Sequence, residues 1–389
     1  MLGSRRTAVG FPLLIYSFTA IMVGTTLPTP MYALYAERMH FSVLTTTVVF
    51  ASYTGGVLFA LLAFGRWSDA IGRRPMLLAG AACALASAVV FLAADSVPDL
   101  MIGRVLSGLS AGIFTGTATA AVIEAAPPSW RSRAAAVATI ANIGGLGLGT
   151  LLAGLLVQYA PAPLRLTFVV HIALVVLAAL AVLVAAETSE RTGRIGLQRL
   201  WVPEQTRTVF VTAATAAFAG FSVLGLFTAV APSFVSGVIG IGNHAAAGAI
   251  VFSLFASSAV SQIVARRIPP RRAVALGCAI LVAGMTILAV ALHLSSLVGL
   301  IVAAIVSGIG QGISFSRGLA AVAERTPPER RAEVGSALSL PVIGEGLAAR
   351  TWGLRTAGVA FAVAVAVLAG ICLAAILVQE AGSDDARAA

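Results

Sequence analysis

The sequence predicts an all-α membrane protein in which twelve transmembrane helices form two six-helix bundles related by pseudo-symmetry. Three observations support this fold class: the apolar composition, the recurrence of apolar blocks and an internal repeat. Of the 389 residues, 59% are hydrophobic and 10% are charged, whereas soluble domains carry about 25% charged residues. So much apolar surface does not fit inside a water-soluble core, so the lipid bilayer is the expected surrounding of the chain.

Blocks of about 20 apolar residues, long enough to cross the hydrocarbon core as a helix, follow one another along the chain. Charged residues and turn residues separate them into twelve predicted spans. These are residues 11–33, 43–64, 76–94, 98–121, 134–157, 165–186, 208–231, 244–265, 273–293, 297–319, 333–350 and 356–379. The eleventh span is the shortest, and it contains both Pro341 and Glu345.

A repeat emerges when the chain is aligned with itself at an offset of 200 residues. Between residues 107 and 131, eleven of 25 positions are identical to those 200 residues later, without a gap. The repeated residues are Ser107, Gly108, Gly112, Ile113, Ala120, Ala121, Val122, Glu124, Pro127, Pro128 and Arg131. With six helices per half, both copies have the same orientation, which is a parallel repeat about an axis along the membrane normal.

One long polar interruption separates the sixth predicted span from the seventh. It divides the chain into a six-helix bundle of residues 1–186, a cytoplasmic linker of residues 187–207 and a second six-helix bundle of residues 208–389. Apolar and basic residues alternate between Ile195 and Val202, as in a short amphipathic segment at the bilayer surface. A plain flexible loop is the alternative.

The arginines predict the orientation of the chain in the membrane. The formal net charge is +10, no lysine occurs, and most arginines lie in the connectors on one side. Because basic loops stay in the cytoplasm, both termini are expected there, with the protein in the cytoplasmic membrane of a bacterium. The positive charge is thereby explained without nucleic acid as a partner.

The connector between the second and third spans, residues 65–75, reads GRWSDAIGRRP. This signature loop resembles the signature of the major facilitator superfamily in its glycines, Gly65 and Gly72, and in its charged residues, Asp69 and Arg73. The resemblance implies a state-dependent gate in which Asp69 lies near the start of the eleventh span and Arg73 pairs with Glu124 at the cytoplasmic end of the fourth. A basic loop that only fixes topology is the alternative.

Two further motifs resemble those of the drug:proton antiporter branch of that superfamily. Arg104 with Gly108 and Gly112 resembles an Arg-x-x-x-Gly motif, and the glycines from residue 145 to residue 154 resemble a Gly-x-x-x-Gly-Pro-x-x-Gly-Gly motif. Thr150 replaces the proline, which departs from the pattern. An arginine inside a span is costly, so Arg104 is expected to face a cavity or a partner, with snorkelling to the outer interface as the alternative.

Proton coupling is assigned to Arg104 and Glu345. The first span has no acidic residue before Glu37, and Glu345 is the one carboxyl expected at depth in a span. A carboxyl there should have a raised pKa. A structural pair between Glu345 and Arg350 is the alternative.

Four polar residues inside predicted spans are candidates for substrate contact: Tyr32, Asn142, Gln311 and Arg317. Each could instead join neighbouring helices. Arg317 could also reach the cytoplasmic surface.

Taken together, these features predict a secondary active transporter that works by alternating access and exports a small amphiphilic or drug-like molecule in exchange for protons. A symporter or facilitator that imports a small metabolite is the alternative within the same fold. A receptor or an intramembrane enzyme is the alternative from another class. No nucleotide, metal or nucleophile motif occurs, and the three cysteines lack metal-ligand spacing. We therefore expect no enzyme activity and no cofactor, and a monomer whose partners are the substrate, an ion gradient and lipid.

Overall fold

The computed structural model describes residues 2–41, 43–191, 195–196, 207–237, 240, 242–324 and 354–388. Helices dominate these residues, and no strand occurs among them. Ten helical segments in the described part are long and apolar enough to cross a membrane, and residues Val48–Phe64 form a shorter apolar helix. The predicted all-α membrane fold is therefore confirmed, while the predicted eleventh span, with Glu345 and Arg350, lies outside the described residues.

The chain divides into two compact units. Unit 1 comprises Met1–Arg199 with Asn243–Phe252, and unit 2 comprises Leu200–Gly242 with Ser253–Ala389. The helices of the first unit are α1 (Leu2–Thr26), α2 (Tyr32–Met39), α3 (Val43–Phe64), α4 (Trp67–Ile71), α5 (Arg73–Leu92), α6 (Val97–Glu124), α7 (Ala134–Thr139), α8 (Gly145–Tyr159) and α9 (Pro163–Val184). Within this unit α6 packs against α3 and α5, and α1 packs against α8 and α9.

Unit 2 likewise consists of long helices packed against one another. Its helices are α10 (Arg207–Gly237), the second half of α11 (His244–Val264), α12 (Pro270–His293), α13 (Leu297–Glu324) and α14 (Leu354–Ala388). Helix α12 packs against α13 and α14, and α10 packs against the same two helices. The predicted split at residues 187–207 remains a prediction.

Helix α1 ends where the sequence provides two prolines. Pro28 and Pro30 have no backbone N–H to donate, so the helix stops at Thr26 and the chain continues as a single 3-10 turn, Thr29–Met31, into α2. The last carbonyls of a helix have no partner within it. In the bilayer they need a donor from another helix, and α6 provides one, described below.

Helices α6 and α13 carry the repeat that the sequence shows. Their bounds, Val97–Glu124 and Leu297–Glu324, differ by 200 residues at both ends. A serine precedes each helix: Ser96 bonds the carboxylate of Asp99, and the hydroxyl of Ser296 accepts the N–H of Gly299. The two copies therefore form helices of one length, each preceded by a serine.

The repeated glycines bring helix backbones together within each unit. A Cβ on Gly108 or Gly112 of α6 would meet the backbone of α3, at Tyr53 and Val57. A Cβ on Gly308 or Gly312 of α13 would meet the backbone of α11, at Leu254 and Ser258. Small residues let membrane helices approach closely, where packing rather than the hydrophobic effect holds them together.

The predicted fifth span is interrupted. It consists of α7, a π-helical turn at Ile140–Gly144 and α8, although the sequence predicts one continuous helix over residues 134–157. A π turn widens the helix by one residue and is often found at functional sites. It displaces the hydrogen-bond register around Asn142.

We predict that Gly112→Ala destabilises the protein, whereas Gly116→Ala, one turn further along α6, does not. The Cβ added at residue 112 would lie 2.6 Å from Ala60 Cβ and 2.7 Å from the Val57 carbonyl oxygen, whereas the one at residue 116 would meet no atom within 4 Å. Overpacking of this kind costs about 1–3 kcal/mol. Thermal unfolding of the detergent-purified variants measures the difference, and equal melting temperatures would contradict the packing described here.

Candidate functional site

The signature loop folds into a tight reversal between α3 and α5. Gly65 lies exposed in the turn that follows α3, and Asp69 lies in the short helix α4. Gly72 has a φ of 117°, a conformation that glycine adopts without steric cost. The reversal places Asp69 Oδ1 2.5 Å from Arg73 Nη1.

Arg73 also reaches the end of α6, as the resemblance implies. Its Nη2 lies 2.9 Å from Glu124 Oε1, and its Nε donates to Glu124 Oε2 at 3.3 Å. Two parallel bonds between a guanidinium and a carboxylate fix the relative orientation of both groups. Glu124 is available because α6 extends to that residue, three residues beyond the predicted span.

Glu187 completes this network, and the sequence analysis did not single it out. Its carboxylate accepts the backbone N–H groups of Arg73 at 2.8 Å and Arg74 at 3.1 Å. These are unpaired donors at the N-terminus of α5, where the helix dipole favours negative charge. Gly72 leaves room for it, since a Cβ there would lie 2.5 Å from Glu187 Oε2. We call Asp69, Arg73, Glu124 and Glu187 the Arg73 network.

The environment of Glu187 lowers its pKa. Partial burial alone would raise the pKa, but N–H groups of Ser189, Arg73, Arg74 and Thr188 donate to the carboxylate and together hold the pKa below its ordinary value of 4.5. The next residue extends the network, because the Thr188 hydroxyl donates to Glu124 Oε2 at 2.6 Å. The start of the predicted linker is therefore bonded to the ends of α4, α5 and α6.

A second group of functional candidates lies inside the spans of unit 1. Arg104 of α6 is fully buried, with 0% of its surface exposed, so the alternative of snorkelling to the interface is wrong. Its Nη1 donates to the Thr25 carbonyl at 2.7 Å, its Nε donates to the Tyr32 hydroxyl, and its Nη2 is 3.5 Å from Thr29 Oγ1. Arg104 thus donates a hydrogen bond to a carbonyl in the last turn of α1.

Aromatic rings surround the same guanidinium. Its Cζ atom lies 5.0 Å from the ring centroid of Tyr32, 5.6 Å from that of Tyr53 and 5.8 Å from that of Phe50. The negative faces of such rings attract a cation within about 6 Å. Of the predicted residues, the structure therefore brings Tyr32 and Arg104 together. We call Thr25, Tyr32, Phe50, Tyr53 and Arg104 the Arg104 cluster.

Gln311 occupies the interior of unit 2. It is fully buried in α13, and its Oε1 accepts the Ser258 hydroxyl of α11 at 2.5 Å. Its Nε2 has no hydrogen-bond partner among the described residues. Gly220 of α10 makes room, since a Cβ there would lie 2.9 Å from Gln311 Cγ. A buried amide donor without an acceptor is costly and is available to a polar ligand group.

The other predicted site residues lie apart from these clusters. Arg317 of α13 is half-buried, and its Nε has no partner within the described ranges. Asn142 is half-buried in the π-helical turn. Glu345 lies outside the described residues. In the part of the chain that the structure describes, no group of three or more His, Cys, Asp or Glu could hold a metal ion.

Comparison with known proteins identifies the family. The model of the Major Facilitator Superfamily matches residues 13–340 of the chain. The chain belongs to the Major Facilitator Superfamily. Its described helices also match the crystal structure of a bacterial homologue of the human lysosomal transporter Spinster, in an inward-facing and unoccupied conformation. The match has a TM-score of 0.73 at 18% identity and covers 96% of each chain, which shows a shared fold.

Curated relatives match shorter stretches of this superfamily member. Myo-inositol transporter 3C of Cryptococcus neoformans var. grubii is 28% identical over 122 residues, which is 31% of this chain and 20% of the relative. The proton myo-inositol cotransporter of Homo sapiens is 32% identical over 95 residues, which is 24% of this chain and 15% of the relative. The matched region spans a fifth or less of these relatives. The superfamily assignment and the apolar helices make the chain a multi-pass membrane protein.

We predict that Glu187→Gln lowers the melting temperature at pH 7 and that the deficit disappears in acid. The folded pKa is depressed, so the carboxylate stabilises the protein above pH 4.5, and this contribution is lost as the pH falls below that value. The expected loss at pH 7 is on the order of 1 kcal/mol, because the group is partly screened by solvent.

The matched control for this experiment is Glu190→Gln, since Glu190 is exposed three residues further along. It should follow the wild type from pH 7 into acid. A Glu187→Gln deficit that is independent of pH would show that shape rather than charge matters at this position.

Proposed function

We propose that this transporter works by alternating access and exports a small amphiphilic molecule in exchange for protons. The observation that carries the proposal is the fully buried Arg104 in a spanning helix, surrounded by aromatic rings. A charge held inside a membrane segment marks a functional site by default. The rings provide an apolar contact surface beside the charge, which is the surface an amphiphile requires.

The resemblance to drug:proton antiporters supports the direction of transport. Arg104, Gly108 and Gly112 stand at the spacing of one antiporter motif, and the glycines of α8 resemble another. The sequence contains no nucleotide-binding motif, so the energy is proposed to come from an ion gradient. We place the protein, as a monomer, in the cytoplasmic membrane of a bacterium with both termini in the cytoplasm, because the arginine-rich connectors lie on that side.

The Arg73 network is proposed to act as a gate. One guanidinium is bonded to Asp69 and Glu124, and the backbone beside it is bonded to Glu187. Ion pairs at a helix terminus in contact with water contribute little energy individually, so such a network can be made and broken as the transporter changes state. Gly65 and Gly72 provide the turn on which it is built.

Substrate contact is proposed for Tyr32, Asn142, Gln311 and Arg317. Tyr32 contributes a ring and a hydroxyl beside Arg104, and Gln311 contributes an amide donor that no described residue accepts. Asn142 lies in the π-helical turn, and Arg317 has an unpaired Nε within the described part. These groups combine apolar area with a few directed polar contacts, as small-molecule sites do.

Uptake of a small polar metabolite is the second candidate function. It is favoured by the curated relatives, which are transporters of myo-inositol by name. The buried hydroxyl and amide groups around Gln311, including Ser258 and Gln262, could serve a polyol.

Transport assays in bacteria distinguish the two functions. An efflux-deficient strain that expresses the protein should tolerate amphiphilic growth inhibitors at several-fold higher concentrations, and a protonophore should abolish this tolerance. Accumulation of radiolabelled myo-inositol from the medium, with no change in tolerance to any inhibitor, would replace export by uptake.

Glu345→Gln tests the coupling. Glu345 is proposed to carry the proton, and Arg104 is the second residue to which proton coupling is assigned. The variant should lose accumulation driven by a pH gradient in proteoliposomes by about tenfold or more, as expected for loss of one catalytic proton carrier, and should retain substrate exchange at equal pH. Unchanged gradient dependence would assign the proton to another group.

A further inference from the structure

The charge of Arg104 lacks a full counter-charge. Among the residues that the structure describes, no carboxylate lies within ion-pair distance of its guanidinium. The side chain is nevertheless fully buried within unit 1. Buried charges in proteins are normally paired with an opposite charge, so this side chain favours an anionic ligand.

Neutral groups around Arg104 compensate its positive charge only in part. The Thr25 carbonyl lies at the C-terminal end of α1, where the helix dipole is negative. The rings of Tyr32, Phe50 and Tyr53 add the negative faces of their π systems. These are partial charges, so they make burial of the cation tolerable and leave a net positive charge inside the membrane.

The guanidinium also has donor capacity left. Arginine carries five N–H groups in a planar fork. One is accepted by the Tyr32 hydroxyl and one by the Thr25 carbonyl, and the contact with Thr29 is long, at 3.5 Å. The terminal nitrogens Nη1 and Nη2 therefore each retain an N–H without an acceptor among the described residues. Such a fork matches the two oxygens of a carboxylate.

We infer that the Arg104 cluster recognises the anionic group of an organic acid, with the acid's apolar or aromatic body held against Tyr32, Phe50 and Tyr53. The charge selects the acidic group, and the three rings select a flat apolar body. This inference rests on the proposed transport function and narrows its substrate to organic anions. Inorganic anions carry the charge but have no apolar group, so they would contact the guanidinium of Arg104 and not the three rings.

Binding of matched acids and amides to the purified full-length protein in detergent tests this inference without any gradient. The probes are benzoate with benzamide, 2-naphthoate with 2-naphthamide, and hexanoate with hexanamide, each at constant chloride. At least one acid should bind the wild type about 30-fold or more tightly than its amide, as expected when one partner of a buried charge pair is removed. Arg104→Gln should reduce that preference to near unity, and Arg104→Lys should retain part of it because the charge remains.

Arg165→Gln is the matched control, because Arg165 is an exposed arginine at the start of α9 in the same unit. It should bind acids as the wild type does. If Arg104→Gln does not fold, Tyr53→Phe and Phe50→Leu provide the second test, since Phe50→Leu should weaken the naphthoate preference more than the hexanoate preference.

Equal binding of acid and amide by the wild type across the whole panel would overturn the inference, and so would displacement of every acid by chloride alone. Failure of the transport proposal has a different signature. In that case acid binding and its dependence on Arg104 remain, but vesicles show no movement of the acid under any gradient.

Discussion

The structure depends on one constraint, which is that the bilayer core contains no water to bond a polar group. Every backbone donor and acceptor must be satisfied by the protein itself, so the described chain is helical throughout its spans. Where α1 ends at Thr26, its last carbonyls have no partner within the helix. Arg104 of α6 donates to one of them, the Thr25 carbonyl, and its charged side chain is fully buried. The same bond satisfies a backbone acceptor and holds a cation among the helices.

The two units share a duplicated helix, α6 and α13, but these helices carry different buried polar side chains. In unit 1 the fourth span carries Arg104, which contacts the first span at Thr25 and the second at Tyr53. In unit 2 the corresponding helix carries Gln311, which packs against Gly220 of α10 and bonds Ser258 of α11. Both duplicated helices therefore carry a buried polar side chain, but at different positions, because the residue equivalent to Arg104 is Ala304 and the residue equivalent to Gln311 is Ala111. One is a cation and the other a neutral amide, so the two units differ in the chemistry of their buried polar groups.

The charged side chains of the Arg73 network bond the ends of several helices to one another. Its parts come from α4, α5, the end of α6 and the segment after α9, so each ion pair ties one helix terminus to another. Because the groups are partly exposed, no single bond holds the ends rigidly. Such an arrangement suits a contact that must be released and formed again, and it uses the dipole of α5 as a fixed positive partner for Glu187.

The sequence by itself determined the membrane fold, most helix bounds and the repeat between α6 and α13. Each follows from hydropathy and residue spacing along the chain. The pairing of Arg73 with Glu124 was implied by the resemblance of the signature loop to that of the superfamily, because the two residues lie on different helices. The tertiary structure decided what depends on long-range contact. Glu187 joined the network because α5 begins beside the end of α9, and Arg104 became buried because the end of α1 and the aromatic residues of α3 both pack against it. The π-helical turn near Asn142 likewise left no signal in hydropathy, because inserting one residue into a helix changes backbone register without changing composition. Packing sets these features, since residues distant in sequence share a site only when their helices meet.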